Sequence, residues 1–128
     1  MGHDQKTTLS ELKSEVAKFV EERNWEKFHT PKNISMALAV EAAELMEHFQ
    51  WLQPKESIEL APDKKVAVGE EVADVFCYLM AMCNVLEIDV SSTFERKMKL
   101  NREKYPVEEF RGRFGSDDPS PVEPESNQ

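Results

Sequence analysis

The chain has 128 residues, of which 40% are hydrophobic and 32% charged, and it carries a formal net charge of -9. A chain of this size predicts one small domain, and its acidity argues against a nucleic-acid backbone or an anionic membrane surface as the partner, because both are bound through clustered Lys and Arg. No apolar run reaches the ~18 residues of a membrane span and the polar N-terminus does not resemble a signal peptide, so we expect a cytoplasmic protein. Cys77 and Cys83 lie in one helical run and are expected to be buried free thiols.

Capping residues and prolines predict an all-α fold of four helices packed as a bundle, without strand signals. Thr8 and Glu11 match the capping box that opens a helix. Pro31 is expected to prevent helix until Asn33 caps the second one, and the aromatic residues of the preceding loop are candidates for ligand contact. An S-x-x-E sequence that starts at Ser92 opens the fourth helix. The predicted helices cover approximately residues 8–24, 33–53, 63–88 and 93–105, with a turn-containing link between the second and the third. Residues 1–110 form the predicted domain, and the Pro-rich, acidic residues 111–128 form a flexible tail.

Two pairs of acidic residues interrupt apolar helical runs. Glu41 and Glu44 lie three apart in M-A-L-A-V-E-A-A-E-L-M, and Glu71 and Asp74 lie three apart in V-A-V-G-E-E-V-A-D-V-F. Residues three apart share one face of a helix. A carboxylate among apolar neighbours loses its hydration, so it is tolerated where the site opens to water, pairs with a cation or holds a metal. Acidic residues at helical spacing most often form a solvated face, but the apolar flanks and the repetition on a second helix favour one shared site.

The side-chain types of these acidic pairs limit which metal ions the site can bind. Four carboxylates without a thiol or an obligatory imidazole are the ligands that Mg²⁺ or Mn²⁺ prefers. A di-iron bundle would need Glu-x-x-His pairs, but Leu45 precedes His48 at that spacing and the third helix offers D-x-x-C. The sequence has no P-loop, G-x-S-x-G turn or H-E-x-x-H pair. If the chain is an enzyme, a carboxylate-held metal would neutralise a polyphosphate and activate water, with Glu41 and Glu44 as equal candidates for the base.

Several segments resemble one known family. E-A-A-E at 41–44 and E-V-A-D at 71–74 match the E-x-x-E and E-x-x-D motifs of the all-α nucleotide pyrophosphatases, which include the MazG-like proteins. R-N-W-E-K-F-H-T-P-K-N, L-M-E-H-F-Q-W and K-M-K-L-N-R-E-K-Y-P extend the resemblance over most of residues 8–106 and are most similar to the dCTP pyrophosphatase branch. The resemblance implies Mg²⁺-dependent hydrolysis of a nucleoside triphosphate between its α and β phosphates, which serves nucleotide-pool house-cleaning. It also implies a homotetramer, or alternatively a dimer, with active sites near the subunit interfaces.

The same resemblance implies roles for individual residues. The Mg²⁺ ligands and catalytic acids would be Glu41, Glu44, Glu71 and Asp74. The phosphates would be contacted by Lys97, Asn101, Arg102 and Tyr105, and the remaining substrate contacts would come from Trp25, His29, Trp51 and Tyr78. Vertebrate dCTP enzymes have a histidine in the base pocket where this chain has Val16, so dCTP, a modified dCTP and a broader MazG-like range of nucleotides are all open as substrates. The alternative function is not enzymatic: the chain would be a helical module that binds a partner through the same helix faces.

Overall fold

The computed structural model describes residues 3–113, and this part of the chain is helical without a strand, which confirms the all-α fold class. Residues 3–113 contain four long helices, as predicted, together with two short helices and a 3₁₀ turn that the sequence did not predict. The helices are α1 (Leu9–Glu22), α2 (Pro31–Glu47), α3 (Pro54–Ile58), α4 (Pro62–Leu86), α5 (Val90–Lys104) and α6 (Val107–Phe110), and the 3₁₀ turn covers Glu26–Phe28.

The start of α1 is as predicted, whereas the start of α2 is not. The Thr8 Oγ1 atom accepts from the Glu11 amide at 3.1 Å, and the Thr8 amide donates to Glu11 Oε2 at 2.7 Å, which completes the capping box. The expected cap at Asn33 is wrong, because α2 already begins at Pro31 with Thr30 as its N-cap. Proline lacks an amide hydrogen and fits the first helical position, where no intrahelical bond is needed, so it opens this helix instead of delaying it.

Three other boundaries correct the predictions. Helix α2 ends at Glu47 instead of continuing to residue 53, because residues 48–52 form turns, and Pro54 opens α3 inside the predicted link. Helix α4 ends where expected, since Glu87 takes the left-handed conformation with φ of 53°. Helix α5 begins at Val90, directly after that turn, so Ser92 lies in its first turn and is not its N-cap.

Residues 3–89 form one compact unit, in which α4 packs against both α2 and α1. Hydrogen bonds also join α1 to the end of α4, because Lys13 Nζ donates to the Ile88 carbonyl at 2.9 Å and Asn84 Nδ2 donates to the Lys13 carbonyl at 2.9 Å. The buried apolar side chains of this compact unit are Val20, Ile34, Met80, Ala81 and Cys83. Both cysteines are free thiols, as predicted, but only Cys83 is buried, whereas Cys77 is half-buried. This unit therefore places the two acidic helices, α2 and α4, in contact.

Residues 90–113 form the second compact unit, which contains α5 and α6. The Tyr105 and Phe110 rings pack edge to face across the turn between the two helices, with their centroids 5.1 Å apart. Residues 114–128, most of the predicted tail, lie outside the described residues. Among the helices of residues 3–113, none is both long and apolar enough to cross a membrane.

Candidate metal centre and substrate site

Three of the four predicted acids meet between the two longest helices. Glu41 and Glu44 lie one turn apart on α2 and Glu71 lies on α4, and each offers one carboxylate oxygen within 4.8 Å of the other two. All three residues are half-buried. The structure therefore brings three residues of the two predicted acidic pairs together. We call them the carboxyl cluster.

The carboxyl cluster lacks hydrogen-bond donors and positive charge within the described residues. Glu41 Oε2 and Glu71 Oε2 are buried, and neither accepts a hydrogen bond from residues 3–113. Burial, followed by the neighbouring carboxyls of Glu44, Glu71 and Asp74, raises the pKa of Glu41 to about 7. Buried acceptors without a donor and crowded like charges both cost free energy, and one bound cation removes both costs. The chemistry of this cluster therefore fits a metal ion held by carboxylates.

Asp74, the fourth predicted acid, is placed differently. It follows Glu71 by one turn of α4 and is exposed, and it is not among the residues whose oxygens lie within 4.8 Å of one another. Its charge nevertheless contributes to the raised pKa of Glu41. One turn further along α4, burial and the nearby Glu41 carboxyl raise the pKa of the Tyr78 phenol. Tyr78 therefore keeps its proton at neutral pH and is a hydrogen-bond donor at the edge of the cluster.

The two tryptophans that are predicted to contact the substrate are accessible to solvent. Trp51 is 86% exposed in the turn that follows α2, and Trp25 is 41% exposed after α1. The Trp25 ring meets the Phe19 ring edge to face at 5.8 Å, and the Arg23 guanidinium lies 3.7 Å from the Phe19 centroid. Neither tryptophan is therefore a core residue of the unit of residues 3–89.

The predicted phosphate contacts lie in the second unit. Lys97 and Arg102 are exposed on α5 and have no ion-pair partner within residues 3–113. Asn101 is half-buried, and its Nδ2 atom lies 3.9 Å from Met98 Sδ. Tyr105 follows the last residue of α5 and has the Lys104 ammonium 5.3 Å from its ring centroid. These four residues remain predicted phosphate contacts.

The sequence did not reveal one cavity of residues 3–89. It has a volume of about 280 Å³ and is lined by residues of α1, α4 and the segment between α1 and α2, among them Val16, Glu21, His29 and Asn84. His29 had been predicted as a substrate contact, but Asn84 had not. A signal was present, because Asn84 is the one polar residue of the apolar run L-M-A-M-C-N-V-L.

The fold is all-α, and its two longest helices hold a cluster of carboxylates that could bind a metal ion, as in other helical proteins with acidic metal sites. The model of the MazG-like family matches residues 36–113. The chain therefore belongs to the MazG-like family, as the resemblance of its motifs indicated.

Individual relatives agree with this assignment. The chain is 39% identical over 107 residues to dCTP pyrophosphatase 1 of Mus musculus. This alignment covers 82% of this chain and 63% of the mouse protein. It is 38% identical over 102 residues to dCTP pyrophosphatase 1 of Homo sapiens, and this alignment covers 78% of this chain and 60% of the human protein. The chain thus spans less than two thirds of the length of these relatives. A crystal structure of a pyrophosphatase from Archaeoglobus fulgidus DSM 4304 matches with a TM-score of 0.73 and 39% identity, covering 83% of this chain and 99% of that one.

Proposed function

We propose that this chain is a Mg²⁺-dependent nucleoside triphosphate pyrophosphatase that hydrolyses dCTP or a modified dCTP to the monophosphate and pyrophosphate. The observation that carries the proposal is the carboxyl cluster, with three oxygens within 4.8 Å of one another and buried unpartnered oxygens on Glu41 and Glu71. The names of the similar proteins, dCTP pyrophosphatase 1 and a pyrophosphatase, supply the substrate class and the bond that is cleaved. Removal of unwanted deoxynucleotides before polymerases use them is the role that follows.

The carboxyl cluster and Asp74 would hold the metal in this proposal, with Mn²⁺ as a possible substitute for Mg²⁺. When bound, Mg²⁺ would supply positive charge against the phosphates and the leaving pyrophosphate. The attacking water gives a proton to a carboxylate of the cluster as its oxygen bonds to phosphorus and the α–β bridging bond breaks. Glu41 and Glu44 are both candidates for that base.

The other substrate contacts follow from side-chain chemistry. Exposed Trp25 and Trp51 present faces on which a base can stack, and the His29 imidazole and Tyr78 phenol offer polar groups beside them. Lys97 and Arg102 supply positive charge for the phosphates. Asn101 and Tyr105 would add hydrogen bonds from the same end of α5.

The proposal includes a homotetramer, with a dimer as the alternative. Large apolar side chains remain exposed on the two acidic helices, and on α4 they form a stripe at helical spacing: Val72 is 50% exposed, Phe76 39% and Leu79 40%. A second copy of the chain that covers this stripe would bury it. We also propose the cytoplasm as the compartment and residues 1–110 as the catalytic domain, followed by a flexible tail at 111–128.

Glu71→Gln tests the proposal against the non-catalytic interaction module, and Glu70→Gln is its matched control. Both variants remove one negative charge from α4, but Glu70 is exposed and lies outside the carboxyl cluster. We expect Glu71→Gln to lower the kcat for dCTP by at least ~100-fold with the helical content unchanged, and Glu70→Gln to keep its activity. A folded wild-type protein that turns over no nucleotide in the presence of Mg²⁺ would favour the module. Equal rates on all nucleoside triphosphates would favour the broader MazG-like specificity.

A further inference from the structure

The charges of this acidic chain are unevenly distributed. Residues 1–89 contain 9 Lys and Arg against 17 Asp and Glu, whereas residues 90–113 contain 7 Lys and Arg against 4 Asp and Glu, which is a net charge of +3. Residues 114–128 contain no Lys or Arg, and their net charge of -4 comes from Asp117, Asp118, Glu123 and Glu125. The net positive part of the chain is therefore followed directly by a strongly acidic one. We call residues 114–128 the acidic segment.

Helix α5 gathers three of its cations on one face. Arg96, Leu100 and Lys104 follow one another at intervals of four residues, and Lys97 lies three residues before Leu100, so these four residues share a face of the helix. All four are exposed, and Leu100 is 50% exposed. None of the three cations forms an ion pair within residues 3–113. We call these four residues the α5 basic strip.

The α5 basic strip fits an elongated anionic partner. Cations that share a helix face repel one another, and negative charge laid along them removes this repulsion. The strip extends from Arg96 to Lys104, which is about 12 Å at ~1.5 Å per residue. Leu100 lies between the cations and offers apolar contact to the chain that carries the negative charge. An acidic stretch of polypeptide matches both the length and the composition of the strip.

The acidic segment can reach the α5 basic strip of its own chain. Helix α6 turns back toward the end of α5, because the Phe110 ring meets the Tyr105 ring with 5.1 Å between their centroids. The acidic segment starts directly after Arg113, three residues beyond Phe110. A chain spans up to ~3.3 Å per residue, so the path from Arg113 to Glu125 covers up to about 40 Å. Helix α5, with 15 residues, is only about 22 Å long.

We propose that the acidic segment binds across the α5 basic strip of its own chain and competes there with the triphosphate of the substrate for Lys97. The inference rests on the proposed function, in which Lys97 contacts the phosphates. Exposed ion pairs are individually weak, but a tethered segment is present at an effective concentration in the mM range, so it occupies the strip for part of the time. Because a saturating nucleotide displaces the segment, the competition raises the KM and leaves kcat unchanged.

A full-length variant with an uncharged acidic segment tests the competition. It carries Asp117→Asn, Asp118→Asn, Glu123→Gln and Glu125→Gln. At low ionic strength we expect its KM for dCTP to be about threefold lower than that of the wild-type protein, with the same kcat. In about 0.5 M salt the two KM values should converge, because screening weakens exposed ion pairs. An unchanged KM at low ionic strength would overturn the inference.

The control is a variant with the same change of net charge in another part of the chain. It replaces four exposed acids of residues 3–89 that lie outside the carboxyl cluster. These substitutions are Glu22→Gln, Glu47→Gln, Glu59→Gln and Glu70→Gln. The KM of this control should stay close to that of the wild-type protein. If it falls as far as in the variant with the uncharged acidic segment, the cause is the overall charge of the protein and the inference is wrong.

A cross-linking measurement separates this inference from the proposed function. Carbodiimide condenses a carboxylate with a lysine amine in direct contact, forming an amide with loss of water. In the full-length wild-type protein at low ionic strength, we expect mass spectrometry to find the acidic segment coupled to Lys97 and Lys104. Lys99 should couple little to the segment, because it is exposed on α5 between Glu95 and Glu103, each four residues away. Inorganic triphosphate should suppress the couplings.

Two results of the cross-linking would overturn the inference. Equal coupling of all three lysines would show a general attraction without a bound position. In protein refolded from equal amounts of isotope-labelled and unlabelled chains, both ends of a coupling should carry the same isotope, and random pairing would show that the segment binds another copy. If the protein hydrolyses no nucleotide, the proposed function fails, and the couplings and their suppression by triphosphate still decide whether the acidic segment competes for the strip.

Discussion

Glu41→Gln is predicted to stabilise the metal-free protein while abolishing its activity. The substitution keeps the shape of the side chain and removes one charge from a cluster whose three oxygens lie within 4.8 Å of one another. Two unit charges at that distance repel by about 1 kcal/mol in water and by about 3 kcal/mol at an effective dielectric constant of 20. Because the cluster is half-buried, we expect the free energy of unfolding at pH 8 to rise by about 1 to 3 kcal/mol.

The effect should depend on pH with a defined sign. The pKa of Glu41 is raised from 4.5 to about 7 in the folded chain, so the folded protein retains a proton that the unfolded chain releases. The stability of the metal-free protein therefore falls as the pH rises from about 4.5 through 7. At pH 5 Glu41 is already mostly protonated, and Glu41→Gln should then gain much less than at pH 8.

Denaturant unfolding in the presence of EDTA, at pH 5 and at pH 8, measures this prediction. A gain of 1 kcal/mol corresponds to a melting temperature about 4 °C higher in a chain of this size. Glu47→Gln is the control, because Glu47 is an exposed residue of α2 outside the cluster and its substitution changes the net charge equally. A Glu41→Gln protein that is less stable than wild type at pH 8, or that gains as much at pH 5, would refute the account of the cluster as crowded charge.

Three further predictions concern the metal and the substrate. Addition of Mg²⁺ should raise the unfolding midpoint more at pH 8 than at pH 5, because protons compete with the metal for Glu41, and equal shifts at both pH values would contradict this. Trp51→Ala should raise the KM for dCTP about fivefold or more without lowering the melting temperature, because an 86% exposed ring stabilises the fold little but can stack on a base. Trp51→Phe should keep most of the affinity, because it retains an aromatic ring. Lys97→Met should raise the KM several-fold, whereas Lys99→Met, an exposed neighbour on α5, should not; equal effects would show a general loss of charge.

The sequence predicted the carboxyl cluster better than it predicted the helix boundaries around it. A spacing of three within an apolar run is sufficient to place Glu41 beside Glu44 on one face of a helix. The same spacing in a second apolar run predicts that the two acidic pairs share one site. The ends of α2 could not be obtained in this way, because Pro31 fits either before a helix or at its first position. Which of the two occurs depends on whether Thr30 caps it.

Contacts between helices account for what the sequence could not predict. Glu71 and Asp74 are equivalent in their pattern, yet only Glu71 reaches the cluster, because the packing register of α4 against α2 decides which acid points inward. Asn84 is the polar residue of an apolar run, but its hydrogen-bond partner is the Lys13 carbonyl, 71 residues earlier in the chain. A local pattern carries no information on such a partner.

The central claim is that the carboxyl cluster supports metal-dependent cleavage between the α and β phosphates, and product analysis tests it most directly. Purified protein is incubated with dCTP and Mg²⁺, and the products are separated by ion-exchange chromatography, with Glu71→Gln and an EDTA sample beside it. The account predicts dCMP and pyrophosphate in equal amounts from the wild-type protein, and neither product from the variant or the EDTA sample. The appearance of dCDP and orthophosphate, or of dCMP at the same rate from Glu71→Gln, would contradict it.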